Sequence, residues 1–257
     1  MGTKGMAAVD QVRFAVSKNV TVELNKDVAD DAKGCIVKGN IFGCNNVNSS
    51  PQEDVTVHIY ATQNANATRI ANPAEGEQTA KVKARYDVNA VYGGGNMAAY
   101  KPKGPNSATA EDGYDGKNTR YSTHVIIDGC ERTSIRQVYG GGNAATTPAT
   151  EVTVNGTYEI DELFGGGNGK DKITYDEGST WLDNPGANVG FYDYSAVEDT
   201  YDTKEKRTQG ESGTTFVSKY VYGTGKAAVN VFGGLINHVF GGSNTQGHVR
   251  ETAITLL

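Results

Sequence analysis

The chain has 257 residues, enough to bury a sizeable core, and its 24 basic and 30 acidic side chains leave a net charge of −6. That balance argues against general nucleic-acid binding, which needs a basic footprint. Glycine supplies 33 residues, close to double the usual ~7%, while only 6 prolines speak against a collagen or a proline-rich linker.

In chain order, the opening MGTKGMAAVDQVRF has no apolar h-region and does not read as a signal peptide. Met6 stands where a myristoylation signal needs Ser or Thr. Within 1–19, VRFAV at 12–16 alternates and reads as an opening or capping strand. VTVEL from Val20 is the first of several V-x-V stretches, followed by VTVHI from Val55, VIIDG from Val125, VTVNG from Val152 and VNVFG from Val229. A weaker ITY begins at Ile173. Such alternation of β-branched residues is the signal of a half-buried strand.

Between them recurs a second element: IFGCNN from Ile41, VYGGGN from Val91 and Val138, LFGGGN from Leu163, VYGTGK from Val221 and VFGGSN from Val239. Apolar residues stand three positions before several of these, at Val88, Ile135, Ile160 and Ile236. The repeat is therefore a V-x-V strand, a glycine turn, a strand ending in an aromatic, and a Gly-Gly-x-Asn corner. Polar insertions near 61–87, 97–124 and 176–216 interrupt it. TAITLL at the close reads as one more V-x-V-type strand, and ITY is expected to serve the Val221 copy. No run of about 18 apolar residues would cross a membrane as a helix.

Stacked repeats explain the residue types. Corners lying on one another leave no room for side chains and ask for glycine. Asparagines can bond one another along the column. The expected asparagine ladder is Asn45 or Asn46, then Asn96, Asn143, Asn168 and Asn244. The expected aromatic column is Phe42, Tyr92, Tyr139, Phe164, Tyr222 and Phe240. A phosphate-binding loop is a poor reading of GGGNGKD at 165–171 or GTGKA at 223–227, because Ser or Thr is missing after the lysine. The expected fold is an all-β, right-handed parallel β-solenoid (β-helix) of about six coils, a single domain over 1–257 with long loop insertions.

This V-x-V and V-[YF]-G-G-G-N rhythm resembles Gly-rich repeat segments of adhesin-like surface proteins of gut anaerobic bacteria. The resemblance implies a parallel β-solenoid displayed outside the cell, and it supplies no catalytic residue. The expected function is non-enzymatic, a cell-surface or secreted module for adhesion or display that could bind glycans. The alternatives are a polysaccharide lyase or glycoside hydrolase on a β-helix, and a phage or fibre-like stalk. Partners would be a carbohydrate or a surface protein, and the chain a monomer or part of a longer repeat array.

For ligand binding, the long insertion offers Trp181, Phe191, Tyr192, Tyr194 and Tyr201 among acids and amides, a mixture suited to sugar rings. The other reading pins these aromatics onto the wall of the fold. No cofactor is expected. Calcium is the one metal to consider, at Asp112, Asp115 and Asn118 of EDGYDGKN, although the loop lacks the EF-hand order and a tight turn explains it as well. His58, His124, His238 and His248 show no H-x-x-x-H spacing and read as polar residues of strand faces. Asp161 and Glu162, adjacent in a strand, should point to opposite faces. Acid pairs from different repeats, Asp128 with Asp161 or with Asp87, are what a hydrolase would use. Cys35 and Cys44 could pair in an oxidising compartment; the odd count, completed by Cys130, favours buried free thiols.

Overall fold

The V-x-V stretches and the aromatic-ending stretches both fold as strands, and the two kinds go to different sheets. The computed structural model describes residues 17–26, 34–62, 86–102, 121–169, 173–175, 180–182, 187–193, 206–208, 215–217 and 219–257. In chain order come β1 (Val20–Leu24), β2 (Asn40–Phe42), β3 (Val55–Ile59), β4 (Val88–Tyr92), β5 (Thr123–Ile127), β6 (Ser134–Tyr139), β7 (Thr150–Val154) and β8 (Glu159–Phe164). Next are β9 (Ile173–Tyr175), β10 (Thr180–Leu182), β11 (Phe191–Asp193), β12 (Lys206–Thr208), β13 (Thr215–Val217) and β14 (Lys219–Tyr222). The last are β15 (Lys226–Val231), β16 (Ile236–Phe240) and β17 (Glu251–Leu256). A 3-10 turn at Cys130–Arg132 is the one helical element among the described residues.

The fold is all-β and built on two parallel sheets. The first has the order β1-β3-β5-β7-β15-β17 and the second β2-β4-β6-β8-β16. Successive strands of the repeat alternate between the sheets, so each pairing joins one repeat to the next. Registers are uniform: Val22, Val57, Val125, Val152, Val229 and Ile254 form one row across the first sheet. Each second-sheet strand returns to where the first-sheet strands begin. The Thr123 and Thr150 hydroxyls, at strand starts, donate to the carbonyls of Gly140 and Gly165 just past the ends of β6 and β8, both at 2.6 Å.

The core lies between the sheets. Val57, Ile59, Val125, Ile127, Val152, Val154 and Val229 come from the first, and Val88, Val91, Ile135, Val138, Ile160 and Leu163 from the second, all fully buried. Burial of each such side chain contributes about 1.5–3 kcal/mol. In the first sheet β3, β5 and β7 alternate strictly, whereas β6 and β8 bury the pairs Ile135/Val138 and Ile160/Leu163 three residues apart. The pair between them is half-buried in each: Arg136 and Gln137, or Asp161 and Glu162. Ladder pairing skips Arg136 and Asp161, and the in–out alternation breaks there. This corrects the expectation of opposite faces for Asp161 and Glu162: with Ile160 and Leu163 both buried, the two residues between them are both left partly exposed.

Two other expectations are corrected. ITY at Ile173 is a strand, β9, but it pairs antiparallel with β10 outside the parallel sheets. The Val221 copy, in β14, pairs antiparallel with β11, and Phe164 stacks directly on Phe240 where the expected column placed Tyr222 between them. Its corner reads Gly-Thr-Gly-Lys, and Lys226 has no amide to continue the asparagine ladder. Instead Gly223 and Gly225 take positive φ, 76° and 69°, and pass against Pro148. The partner of β7 is therefore β15, so about six coils become six first-sheet and five second-sheet strands. Within the insertion near 176–216, Ala187, Asn188 and Val189 return to the stack and are buried, and Val189 bridges in parallel to both Thr147 and Val249. Residues 97–102 likewise begin the insertion near 97–124 as part of the stack, with Tyr100 fully buried and its hydroxyl donating to the Glu53 carbonyl at 2.7 Å.

Candidate binding surfaces

The corners form two coupled columns. Phe42, Tyr92, Tyr139, Phe164 and Phe240 stack with centroids 4.7, 4.7, 4.9 and 4.8 Å apart and planes within 12° of parallel. Beside them each asparagine side-chain nitrogen donates to the oxygen of the preceding one. Asn96 donates to Asn46 at 2.8 Å, Asn143 to Asn96 and Asn168 to Asn143 at 2.7 Å, and Asn244 to Asn168 at 3.1 Å. Asn46, rather than Asn45, is the first rung; Asn45 Nδ2 turns to the Asn48 carbonyl. The tyrosine hydroxyls find their partners in this ladder: Tyr139 donates to Asn168 at 3.2 Å and Tyr92 to Asn143 at 3.4 Å.

Burial disfavours the phenolates. It pushes Tyr92 up to about 12 and Tyr139 further in the same direction. A tyrosine whose folded pKa exceeds its unfolded value, about 10, stabilises the fold fully below pH ~10. That contribution is lost as pH rises through the folded value. We expect stability to fall over pH 10–12, with a late tyrosinate absorbance step that is smaller in Tyr92→Phe. The same substitution should cost no more than about 1 kcal/mol at pH 7, since Phe42, Phe164 and Phe240 already fill the same column.

A polar cluster covers the outer face of the first sheet where its strands end. His58 Nε2 lies 2.5 Å from Asp128 Oδ2, and Asn155 donates to the other Asp128 oxygen at 2.8 Å. The Tyr60 ring stacks on His58 with centroids 3.8 Å apart, and its hydroxyl donates to Glu23 at 3.2 Å. Lys26 donates to Glu23 at 2.7 Å, which holds that carboxyl below its usual range. Further along, His124 Nδ1 lies 2.9 Å from Glu151 Oε2. In the sequence these histidines stand apart, with no mutual spacing that marks a cluster. Aligning the V-x-V stretches would have revealed the cluster, because Tyr60, Asp128 and Asn155 each follow the last paired residue of β3, β5 and β7.

The candidate acids each have a hydrogen-bond partner in the stack. Asp128 is bonded to His58 and Asn155, Asp87 accepts from Thr62 at 2.7 Å, and Asp161 accepts from Asn237 at 3.1 Å. Among the described residues no group of three His, Cys, Asp or Glu converges to hold a metal, and no helix is long and apolar enough to cross a membrane. Of the proposed ligand-binding aromatics, Trp181 lies in β10, and Phe191 and Tyr192 in β11; β11 pairs with β14 at the base of the long insertion. Tyr194 and Tyr201 lie outside the described residues, as do Asp112, Asp115 and Asn118 of the calcium reading.

The three cysteines are free thiols. Cys35 and Cys130 are exposed, which corrects the expectation of buried thiols: both sit in connections between the sheets, β1 to β2 and β5 to β6. Cys44 is partly covered at a corner, where its Sγ lies 3.6 Å from the Gly93 carbonyl and burial raises its pKa. With the geometry set out, similarity adds nothing further: no family model, no curated protein and no solved structure matches this chain.

Proposed function

We propose that the chain is a right-handed parallel β-solenoid module that serves, without catalysis, as a displayed or adhesive element at a cell surface or in a secreted protein. One observation carries this reading: the residues that recur in every repeat are spent on stacking. The aromatic column, the asparagine ladder and the Val/Ile rows each link neighbouring repeats. Side chains used in this way build a rigid scaffold whose variable parts are its insertions. The right hand rests on the preference of parallel crossovers. Adhesion and the extracellular setting rest on the resemblance of the repeat.

Contacts to a carbohydrate or a surface protein would fall to the insertions, with Trp181, Phe191 and Tyr192 the residues to test first. Glycan arrays and cell-surface pulldowns with the whole chain are the experiment. Saturable binding that falls at least about tenfold in Trp181→Ala would support the reading, since an aromatic platform typically carries more than 1 kcal/mol. Turnover of any polysaccharide, abolished by Asp128→Asn, would replace it with the hydrolase reading.

A further inference from the structure

Among the described residues, asparagine stands directly before glycine at Asn155-Gly156 and at Asn168-Gly169, and the fold holds the two pairs in opposite ways. Asn168 is a rung of the ladder. Its Nδ2 donates to Asn143 at 2.7 Å, and its Oδ1 accepts from Tyr139 and from Asn244. The Gly169 N–H is engaged as well, donating to the Asn143 carbonyl at 2.8 Å. Asn155, by contrast, is exposed just beyond the last residue of β7. The Gly156 N–H has no acceptor among the described residues. Asn155 Nδ2 donates to Asp128 Oδ1 at 2.8 Å, and the other Asp128 oxygen lies 2.5 Å from Nε2 of the partly exposed His58. A bonded chain therefore runs from a histidine ring to the side-chain nitrogen of Asn155.

We propose that Asn155 is a self-modification site, converted to aspartate or isoaspartate by the nitrogen of Gly156 with Asp128 and His58 assisting. The Gly156 nitrogen attacks Asn155 Cγ and closes a cyclic imide. Glycine, with no Cβ, lets the chain fold back on itself that closely. As the new C–N bond forms, the Gly156 nitrogen gives its proton to solvent. Asn155 Nδ2 leaves as ammonia, and it needs a proton to do so. Asp128 passes that proton from His58 along the bonded chain, and solvent returns one to His58. Water then opens the imide at either carbonyl, so asparagine and water become aspartate or isoaspartate and ammonia. The product sets a second carboxylate against Asp128, and the outer face of the first sheet gains one negative charge that is not reversed once ammonia is lost. Asn168, whose amide and following N–H are both engaged, keeps the ladder intact.

The test is prolonged incubation of the whole folded chain at neutral pH, followed by peptide mapping with mass spectrometry and by anion exchange. Conversion at Asn155 should run at least about tenfold faster than at Asn168, because native structure protects only the second. A more acidic species should grow in step with released ammonia, and in denaturant the gap between the two sites should close. Asp128→Asn and His58→Gln, each checked for native circular dichroism, should slow conversion at Asn155 by roughly tenfold or more and leave Asn168 at its own rate. Equal rates at Asn155 and Asn168 in the folded chain, or a rate at Asn155 indifferent to both variants, would overturn the inference.

Discussion

Gly140→Ala should lower the melting temperature by roughly 6–12 °C, whereas Gly39→Ala should leave it almost unchanged. At Gly140 a methyl group would fall inside van der Waals contact of the Gly165 carbonyl oxygen of the next repeat, and 2.9 Å from Thr150 Cβ. Gly165 is held in place on both sides: its amide donates to the Phe240 carbonyl at 2.8 Å and its carbonyl accepts from Thr150 at 2.6 Å. The clash is with backbone in a stacked column, so relief would require a shift through several repeats. A cost of about 3 kcal/mol or more follows for overpacking of this kind. Around Gly39 a methyl group meets nothing within 4 Å. Thermal unfolding of the two variants makes the comparison, and equal melting points would remove close approach as the reason for glycine at the corners.

Asn143→Asp should destabilise by about 2 kcal/mol, with little change in volume. The wild-type amide donates to Asn96 and accepts from Asn168. The carboxylate keeps the second bond and replaces the first by two oxygens face to face. Its neighbours then feel the change, since Tyr92 and Tyr139 also bond within the ladder. The loss should be smaller in Asn244→Asp, which has no rung beyond it among the described residues and is exposed. Denaturant midpoints of the two variants at pH 7 test the ordering.

The parallel all-β architecture was legible in the sequence because strand period and corner chemistry repeat together. V-x-V gave the rows, and the spacing from Val88 to Val91 or Ile135 to Val138 marked the inward residues of the second sheet. The asparagine and aromatic columns follow from stacking alone, and Phe42, Tyr92, Tyr139, Phe164 and Phe240 and all expected rungs stand where repetition puts them. The failures have local causes. ITY and VYGTGK carry the right apolar pattern, but antiparallel partners inside the insertion satisfy their backbone groups. Pattern cannot tell a parallel neighbour from a hairpin neighbour when both bury the same face. The corner glycines answer the crowding expected of stacked repeats. At the corners 93–95, 140–142 and 165–167 space alone demands them, and positive φ falls at other glycines, such as Gly129 and Gly234. The His58 cluster was hidden because its members meet only after β3, β5 and β7 are set in register.

Engineered cross-linking tests the stacked arrangement where the sequence pattern alone pointed elsewhere. In a background with Cys35, Cys44 and Cys130 replaced by serine, Thr153→Cys with Asn230→Cys places two thiols on directly paired residues of β7 and β15. Parallel neighbours lie about 4.8 Å apart, within the reach of a disulfide. Thr153→Cys with Thr174→Cys follows the order the repeat pattern suggested, yet Thr174 pairs with Trp181. We expect the first pair to oxidise readily in the folded protein and the second not to. Ready bridging of the second pair, with none in the first, would contradict the stack.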